Sequence, residues 1–226
     1  MAKWVVTIDG PAGAGKTTVS RGLADRLGYT YVDTGALYRG VALAARRAGI
    51  APDDDAGLEA LLGGLDLKFV RSAKGSRLYD GGKDIEDRIR TPEISMLASA
   101  VSARPVVRRY LLDVQRRLGQ MKGAVFEGRD MGTVVFPDAD VKFFLDAPLA
   151  VRARRRHREL AGRGEQTLEE VLEDMAARDR NDQNRALAPL RPADDAIVID
   201  SAGLTPAAVV ERMLAEIKAL KGDESP

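Results

Sequence analysis

Residues 10–17 read Gly-Pro-Ala-Gly-Ala-Gly-Lys-Thr, an arrangement of the form G-x-x-x-x-G-K-[ST]. Glycines at these places let the backbone curl so that successive N–H groups point inward at phosphate oxygens. A helix starting at the end of the curl adds its positive N-terminal end. Lys16 is placed to reach the β- and γ-phosphates, and the Thr17 hydroxyl to meet a magnesium shell. Gly10, Pro11, Ala12, Gly13, Ala14, Gly15, Lys16, Thr17 and Thr18 are therefore candidates for cradling a nucleoside triphosphate. An ordinary glycine-rich strand-to-helix turn has the same composition. The apolar run Trp4–Ile8 before it and the helical pattern Lys16–Leu27 after it favour the phosphate site.

A triphosphate site serves either a switch, where water attacks, or a kinase, where a bound acceptor attacks. The guanine-reading Asn-Lys-x-Asp is absent, and no glycine stands three residues after Asp33 or Asp146, as a switch segment requires. For a kinase, an alcohol acceptor calls for a carboxylate base. A phosphate acceptor, with a second pKa of about 6, is already largely dianionic. It calls instead for cations that hold two polyanions in line. Arginines follow the expected strand ends: Arg39 after the second, Arg129 after the third, then Arg178 and Arg185. Arg178, Asp182 and Arg185 share a face if one helix continues through them. A guanidinium fork matches phosphate geometry, although a single arginine is most often a solvated surface charge.

Arg152, Arg154, Arg155, Arg156 and Arg158 form a dense run ahead of Gly162-Arg163-Gly164. It reads as a solvated helix face, a nucleic-acid patch or a glycine-hinged lid. Aromatic residues do not interleave and the net charge is only +1, against the nucleic-acid reading. The lid is favoured because the run comes after a strand ending at Asp146.

These residues need a scaffold to position them. Apolar runs at Trp4–Ile8, Tyr29–Val32, Ala124–Phe126, Val141–Leu145 and Ala196–Ile199 alternate with helical patterns. They are continuous rather than alternating in polarity, which predicts a parallel sheet covered on both faces. Leu65 to Arg90 differs in texture: Leu67–Val70 and Arg77–Tyr79 read as short strands, and Asp80-Gly81-Gly82 as a hairpin turn. Helices are expected at Pro92–Ala103, Pro105–Leu118, Leu149–Leu160 and Pro206–Leu220, with another marked by Leu168, Val171, Leu172 and Met175. The expected organisation is one domain over 1–226. Its core comprises 1–64, 103–150 and 183–221, with an acceptor-binding insert at about 65–102, a lid at about 151–182 and a disordered tail at 222–226.

The 226 residues contain no cysteine and one histidine, His157, so thiolate and polyhistidine metal sites and cysteine nucleophiles are excluded. No apolar run approaches a membrane span, and the N-terminal one is too short for a signal peptide. A cytoplasmic monomer acting on small molecules, with no nucleic-acid or membrane partner, is the expectation.

Taken together, IDGPAGAGKTT, DTGALYR, IRTPE, EGRDMGTVVFPDAD, FLDAP and RDRNDQNRALAPLRPADDAIVID resemble the bacterial cytidylate kinase family over almost the whole chain. The resemblance implies a P-loop nucleoside monophosphate kinase fold: an α/β fold with a five-stranded parallel sheet, helices on both faces, a small antiparallel acceptor-binding insert and a lid. It implies ATP as donor, magnesium as cofactor, and CMP or dCMP as acceptor. Carried over by position, Arg39, Arg129 and Arg185 resemble the clamp on the acceptor phosphate. Arg178 and Asp182 resemble the pair that holds the sugar, and Thr34 a hydroxyl that seats the nucleotide. Ser99, Arg108 and Asp130 resemble readers of the cytosine edge. Lys16, Arg129, Arg152 and Arg156 resemble the groups that stabilise the transferred charge. The chemistry agrees: cytosine offers an amino donor to Asp130, whereas uracil offers a carbonyl that would repel it. Glu127 stands where the family more often has Asp. Asp33 is open to two roles, support of magnesium-bound water or the cap of the next helix.

Overall fold

The structure, a computed structural model, describes residues 3–72, 75–160 and 166–223. Five strands, β1 (Val5–Asp9), β2 (Thr30–Asp33), β6 (Ala124–Glu127), β7 (Val141–Asp146) and β8 (Ile197–Asp200), form a sheet in the order β2-β6-β1-β7-β8. The pairings of β1 with β6, β1 with β7 and β7 with β8 are parallel. All five residues of β1 are buried, as expected of a central strand covered on both faces. A separate antiparallel sheet holds β3 (Leu67–Ser72), β4 (Gly75–Asp80) and β5 (Lys83–Asp84). This is the α/β fold that the sequence patterns predicted, with one short strand more in the insert.

The chain separates into two compact units, Met1–Tyr31 with Lys122–Pro226, and Val32–Met121. In the first, helices α1 (Lys16–Leu27) and α8 (Pro206–Asp223) lie together over the sheet. Val19 and Leu23 join Val209, Met213 and Ile217 in a core with Val6, Ile8, Val125, Phe143 and Ile199. Removing such apolar groups from water is the main stabilising term, about 1.5–3 kcal/mol for each fully buried Leu, Ile, Val or Phe. Between β6 and β7 a π-helical turn, Met131–Val135, was not foreseen from the sequence. Helices α6 (Leu149–Leu160) and α7 (Leu168–Gln183) pack through Ala153, Val171 and Met175.

The second unit is built on α2 (Thr34–Ala48), α3 (Asp55–Leu62), α4 (Pro92–Val101), α5 (Pro105–Gly119) and the small sheet. Its core joins Leu37, Val41, Leu58, Leu78, Ile85, Ile89, Ile94, Val107 and Leu111. Helix starts here follow the capping rules: the side chains of Asp33, Asp54 and Thr91 accept the N–H groups of Ala36, Gly57 and Ile94.

One boundary was left open by the sequence, and another departs from expectation. Helix α7 ends at Gln183 with Asn184 as its cap, so Arg185 is not on the helix that carries Arg178 and Asp182. Helix α8 runs through Asp223, into the segment expected to be a disordered tail; 224–226 lie outside the described residues. The expected lid hinge, Gly162-Arg163-Gly164, also lies outside them.

Candidate active site

The phosphate loop joins β1 to α1, as its spacing required. At Gly10, φ is +145° and a Cβ would lie 2.0 Å from the Leu145 carbonyl oxygen, so no other residue fits. At Gly15, φ is +91°, and α1 starts from it with no side-chain cap and no acidic residue in its first turn. The helices that begin after Asp33, Asp54, Thr91 and Thr167 all have a side-chain acceptor in that place. The first turn of α1 therefore keeps its N–H groups and positive end available to an anion.

Lys16 is buried, and its ammonium donates to the Pro11 carbonyl of its own loop at 2.7 Å. Burial, then the nearby Arg129 guanidinium, holds its pKa well below the ordinary lysine value. Thr17 Oγ1 donates to Glu127 Oε1 at 2.9 Å, and the Tyr31 hydroxyl donates to Glu127 Oε2 at 2.6 Å. Two hard oxygen donors, a hydroxyl and a carboxylate, thus meet beside the loop. Among the described residues no group of three or more His, Cys, Asp or Glu is arranged to hold a metal ion.

Helices α6 and α7 close against this loop. A Cβ on Gly13 would meet Met175 Cε at 2.8 Å and Arg152 Cβ at 3.1 Å. Arg152 is buried. Its Nε donates to the Ala147 carbonyl at 2.8 Å, Nη1 to the Ala12 carbonyl at 3.1 Å and Nη2 to Asp179 Oδ2 at 2.7 Å. Each of its nitrogens is bonded to protein, so Arg152 clasps the loop to α6 and α7. Arg155 similarly donates to Ser201 Oγ and O, and Ser201 Oγ to the Ala14 carbonyl. Arg156 is exposed and paired with Glu159 at 3.2 Å.

The same unit gathers the second arginine group. Arg129 comes directly after β6, and its Nε donates to Asp182 Oδ2 at 3.3 Å. Arg185 reaches the other oxygen of Asp182 from the chain beyond α7, at 3.9 Å. The Nε and Nη2 of Arg185 are buried without a hydrogen-bond partner among the described residues. Unmet buried donors of this kind are uncommon, and they mark a place that favours an anion. Arg178 is exposed on α7, and its charge acts on Lys16. Asp130 is buried at the start of the π-helical turn.

In the other unit, Asp33 ends β2. Its Oδ1 accepts the Ala36 N–H at 3.1 Å, and its Oδ2 is reached by Arg39 at 2.8 Å and Arg90 at 2.9 Å. The cap is thus the role its geometry displays. Burial raises the Asp33 pKa, but the Arg39 and Arg90 guanidiniums outweigh burial and hold it below the ordinary carboxylate value. Thr34 is buried at the first position of α2, and Arg39 keeps a buried Nε without a hydrogen-bond partner among the described residues. Ser99 and Arg108 are brought together by the turn between α4 and α5: the Ser99 carbonyl accepts the Ser102 hydroxyl, and the Ser102 carbonyl accepts Arg108 Nη1. Arg108 also lies 5.9 Å from the Tyr38 ring centroid.

Sequence reasoning gave no role to Asp9, Tyr31 or Arg90. A charged residue closing an otherwise apolar buried strand was the available signal for Asp9. Arg90 was marked only as part of Ile89-Arg90-Thr91, and nothing local in the sequence ties Tyr31 to Glu127.

Among solved structures, a shikimate kinase from Bacteroides thetaiotaomicron has a TM-score of 0.51 at 13% identity, with 96% of this chain and 99% of that chain covered. A gluconokinase from Sinorhizobium meliloti 1021 also has a TM-score of 0.51, at 15% identity, with 98% and 95% covered. These likenesses establish the fold alone. A family model described as "Cytidylate kinase" matches residues 6–219. The chain is 54% identical to the cytidylate kinase of Geobacter sp. (strain M21) over 215 residues, covering 95% of this chain and 92% of that one. It is 55% identical to that of Geobacter sulfurreducens, covering 92% and 90%, and 42% identical to that of Pasteurella multocida, covering 96% of each. Similarity of this extent, over nearly all of each protein, is kinship, and the chain belongs to the cytidylate kinase family.

Proposed function

We propose that this protein transfers the γ-phosphoryl group of ATP to CMP and dCMP, giving ADP and the pyrimidine nucleoside diphosphate. The single observation that carries the reading is the presence, in one compact unit, of an uncapped phosphate loop and of Arg185, whose buried donors lack hydrogen-bond partners among the described residues. One feature suits the donor and the other an anionic acceptor. The acceptor supplies its own nucleophilic oxygen, so catalysis rests on position and charge. Lys16 stabilises the transferred group, with Arg156 of the lid joining it. Arg152 serves through its grip on the Ala12 carbonyl. Arg39, Arg129 and Arg185 hold the acceptor phosphate, Arg178 and Asp182 the sugar, and Thr34 helps seat the nucleotide. Ser99, Arg108 and Asp130 read the base.

The magnesium ion implied by the family fits the residues present. Thr17 and Glu127 offer hard oxygens, and magnesium is ordinarily held by few protein groups together with phosphate oxygens. Thr17 and Glu127 would hold it, largely through water, and it would neutralise polyphosphate charge. Asp33, engaged by Arg39, Arg90 and Ala36, suits that task less well. Among the described residues no helix is long and apolar enough to cross a membrane. A monomer working on free nucleotides in the cytoplasm is the reading adopted.

The test is ADP release from Mg·ATP with CMP, dCMP, UMP, AMP or no acceptor. Turnover with CMP and dCMP far above the others is expected. A flat panel, or hydrolysis without acceptor, would refute the acceptor assignment. Lys16→Ala is expected to lower turnover by at least about 10²-fold, the scale for losing one preorganised charge-stabilising group. Its fold should remain, as checked by circular dichroism.

A further inference from the structure

Asp9 is the last residue of β1 and only 4% exposed, an unusual place for a carboxylate. Both of its oxygens are directed. Oδ1 accepts the N–H of Met131 at 3.0 Å and Oδ2 accepts the N–H of Gly132 at 2.8 Å. These two amides open the π-helical turn, and the residues immediately before them are Arg129 and Asp130. On its own strand Asp9 is followed by Gly10, the first residue of the phosphate loop, which is fixed by its close approach to the Leu145 carbonyl. One side chain therefore spans from the donor loop to the segment carrying two acceptor residues.

The turn is confined on its other sides as well. A Cβ on Gly132 would come within 3.2 Å of Thr7 Oγ1 on β1 and of Lys142 Cδ on β7. Met131 is fully enclosed. A buried N–H that loses its acceptor is penalised, so the two bonds select one placement of the turn over its neighbours. Burial, with Asp130 nearby, pushes the Asp9 carboxyl up to about 6, while the Gly132 and Met131 amides and Lys16 pull it down. The fold therefore retains this carboxylate despite unfavourable burial, where an apolar side chain would be easier to bury.

We propose that Asp9 is a positioning residue for acceptor selectivity. By holding the Met131 and Gly132 amides it sets where the Asp130 carboxylate and the Arg129 guanidinium lie relative to the phosphate loop. The inference rests on the reading of Asp130 as the acceptor of the cytosine amino group.

The experiment compares Asp9→Asn and Asp130→Ala with the parent protein, measuring kcat and KM for CMP, UMP and ATP. Asn keeps the shape and one acceptor oxygen, and turns an amide N–H toward the other backbone donor. In Asp9→Asn the ratio of kcat/KM for CMP over UMP is expected to fall about tenfold, mainly through KM for CMP, the scale of one lost buried hydrogen bond. KM for ATP should stay within about twofold, because the loop's own contacts to phosphate are unchanged. A purely structural role would instead scale all three substrates with the folded fraction. If Asp130→Ala shifts the ratio and a folded Asp9→Asn does not, the inference is overturned and the cytosine reading stands. If neither shifts it, the cytosine reading fails and the inference falls with it. If Asp9→Asn does not fold, amide exchange in the parent protein decides. Met131 and Gly132 amides as protected as those of β1 support the inference, and exchange like that of an exposed loop overturns it.

Discussion

Asp33 and Asp182 each lie beside two guanidiniums, one pair in each compact unit, and they hold them differently. Asp33 has two contacts under 3 Å on one oxygen and caps a helix with the other. Asp182 touches Arg129 at 3.3 Å and Arg185 at 3.9 Å, and Arg185 keeps donors without a hydrogen-bond partner among the described residues. The first arrangement ties a carboxylate into the architecture. The second holds its two cations by longer contacts, which suits the anion site proposed there. The same residue types thus make a tight, helix-capping arrangement in one place, at 2.8 and 2.9 Å, and a looser one in the other, at 3.3 and 3.9 Å.

The largest effect should come from breaking the tight arrangement. Asp33→Ala strands the Arg39 guanidinium, leaves Arg90 with Glu86 alone and removes the α2 cap, and is expected to destabilise the protein by about 3 kcal/mol in chemical denaturation. A loss under about 1 kcal/mol would show that the pair is not structural. Asp182→Ala is expected to lower stability less than Asp33→Ala does, while raising KM for CMP about tenfold. If its main effect were on unfolding, the contrast between the two carboxylates would disappear. The smallest effect is on pH dependence. The Asp33 pKa is lower in the folded chain than in the unfolded one, so its stabilisation is present above about pH 4 and is lost as pH falls below that. Asp33→Asn should flatten the acid limb of a stability–pH curve. Asp9, with its pKa raised, has the opposite sign: its contribution falls as pH rises from about 4 to about 6.

Much of this was legible in the residues. The parallel sheet could be read from continuous apolar runs, and the phosphate loop from glycine spacing, because both depend on neighbours in sequence. Arg129 and Asp182 were each identifiable, but their meeting was not, since 53 positions separate them. Whether the helix through Arg178 and Asp182 continues to Arg185 was left open by the sequence, and it ends at Gln183. Arg152 looked like any member of an arginine run. Only its burial against Asp179 and the Ala12 carbonyl distinguishes it from Arg156. Long-range partners and burial are what sequence periodicity encodes least.

The π-helical turn at Met131–Val135 also bears on how the family can change over time. It stands alone between β6 and β7, closed by i→i−5 bonds from Val135 to Asp130 and from Phe136 to Met131. Deleting a single position there would remove those bonds and shorten the connection between β6 and β7, both of which are held in the sheet. A one-codon deletion would thus force the residues between the turn and β7 onto a new course past the proposed base reader Asp130, with no catalytic residue replaced.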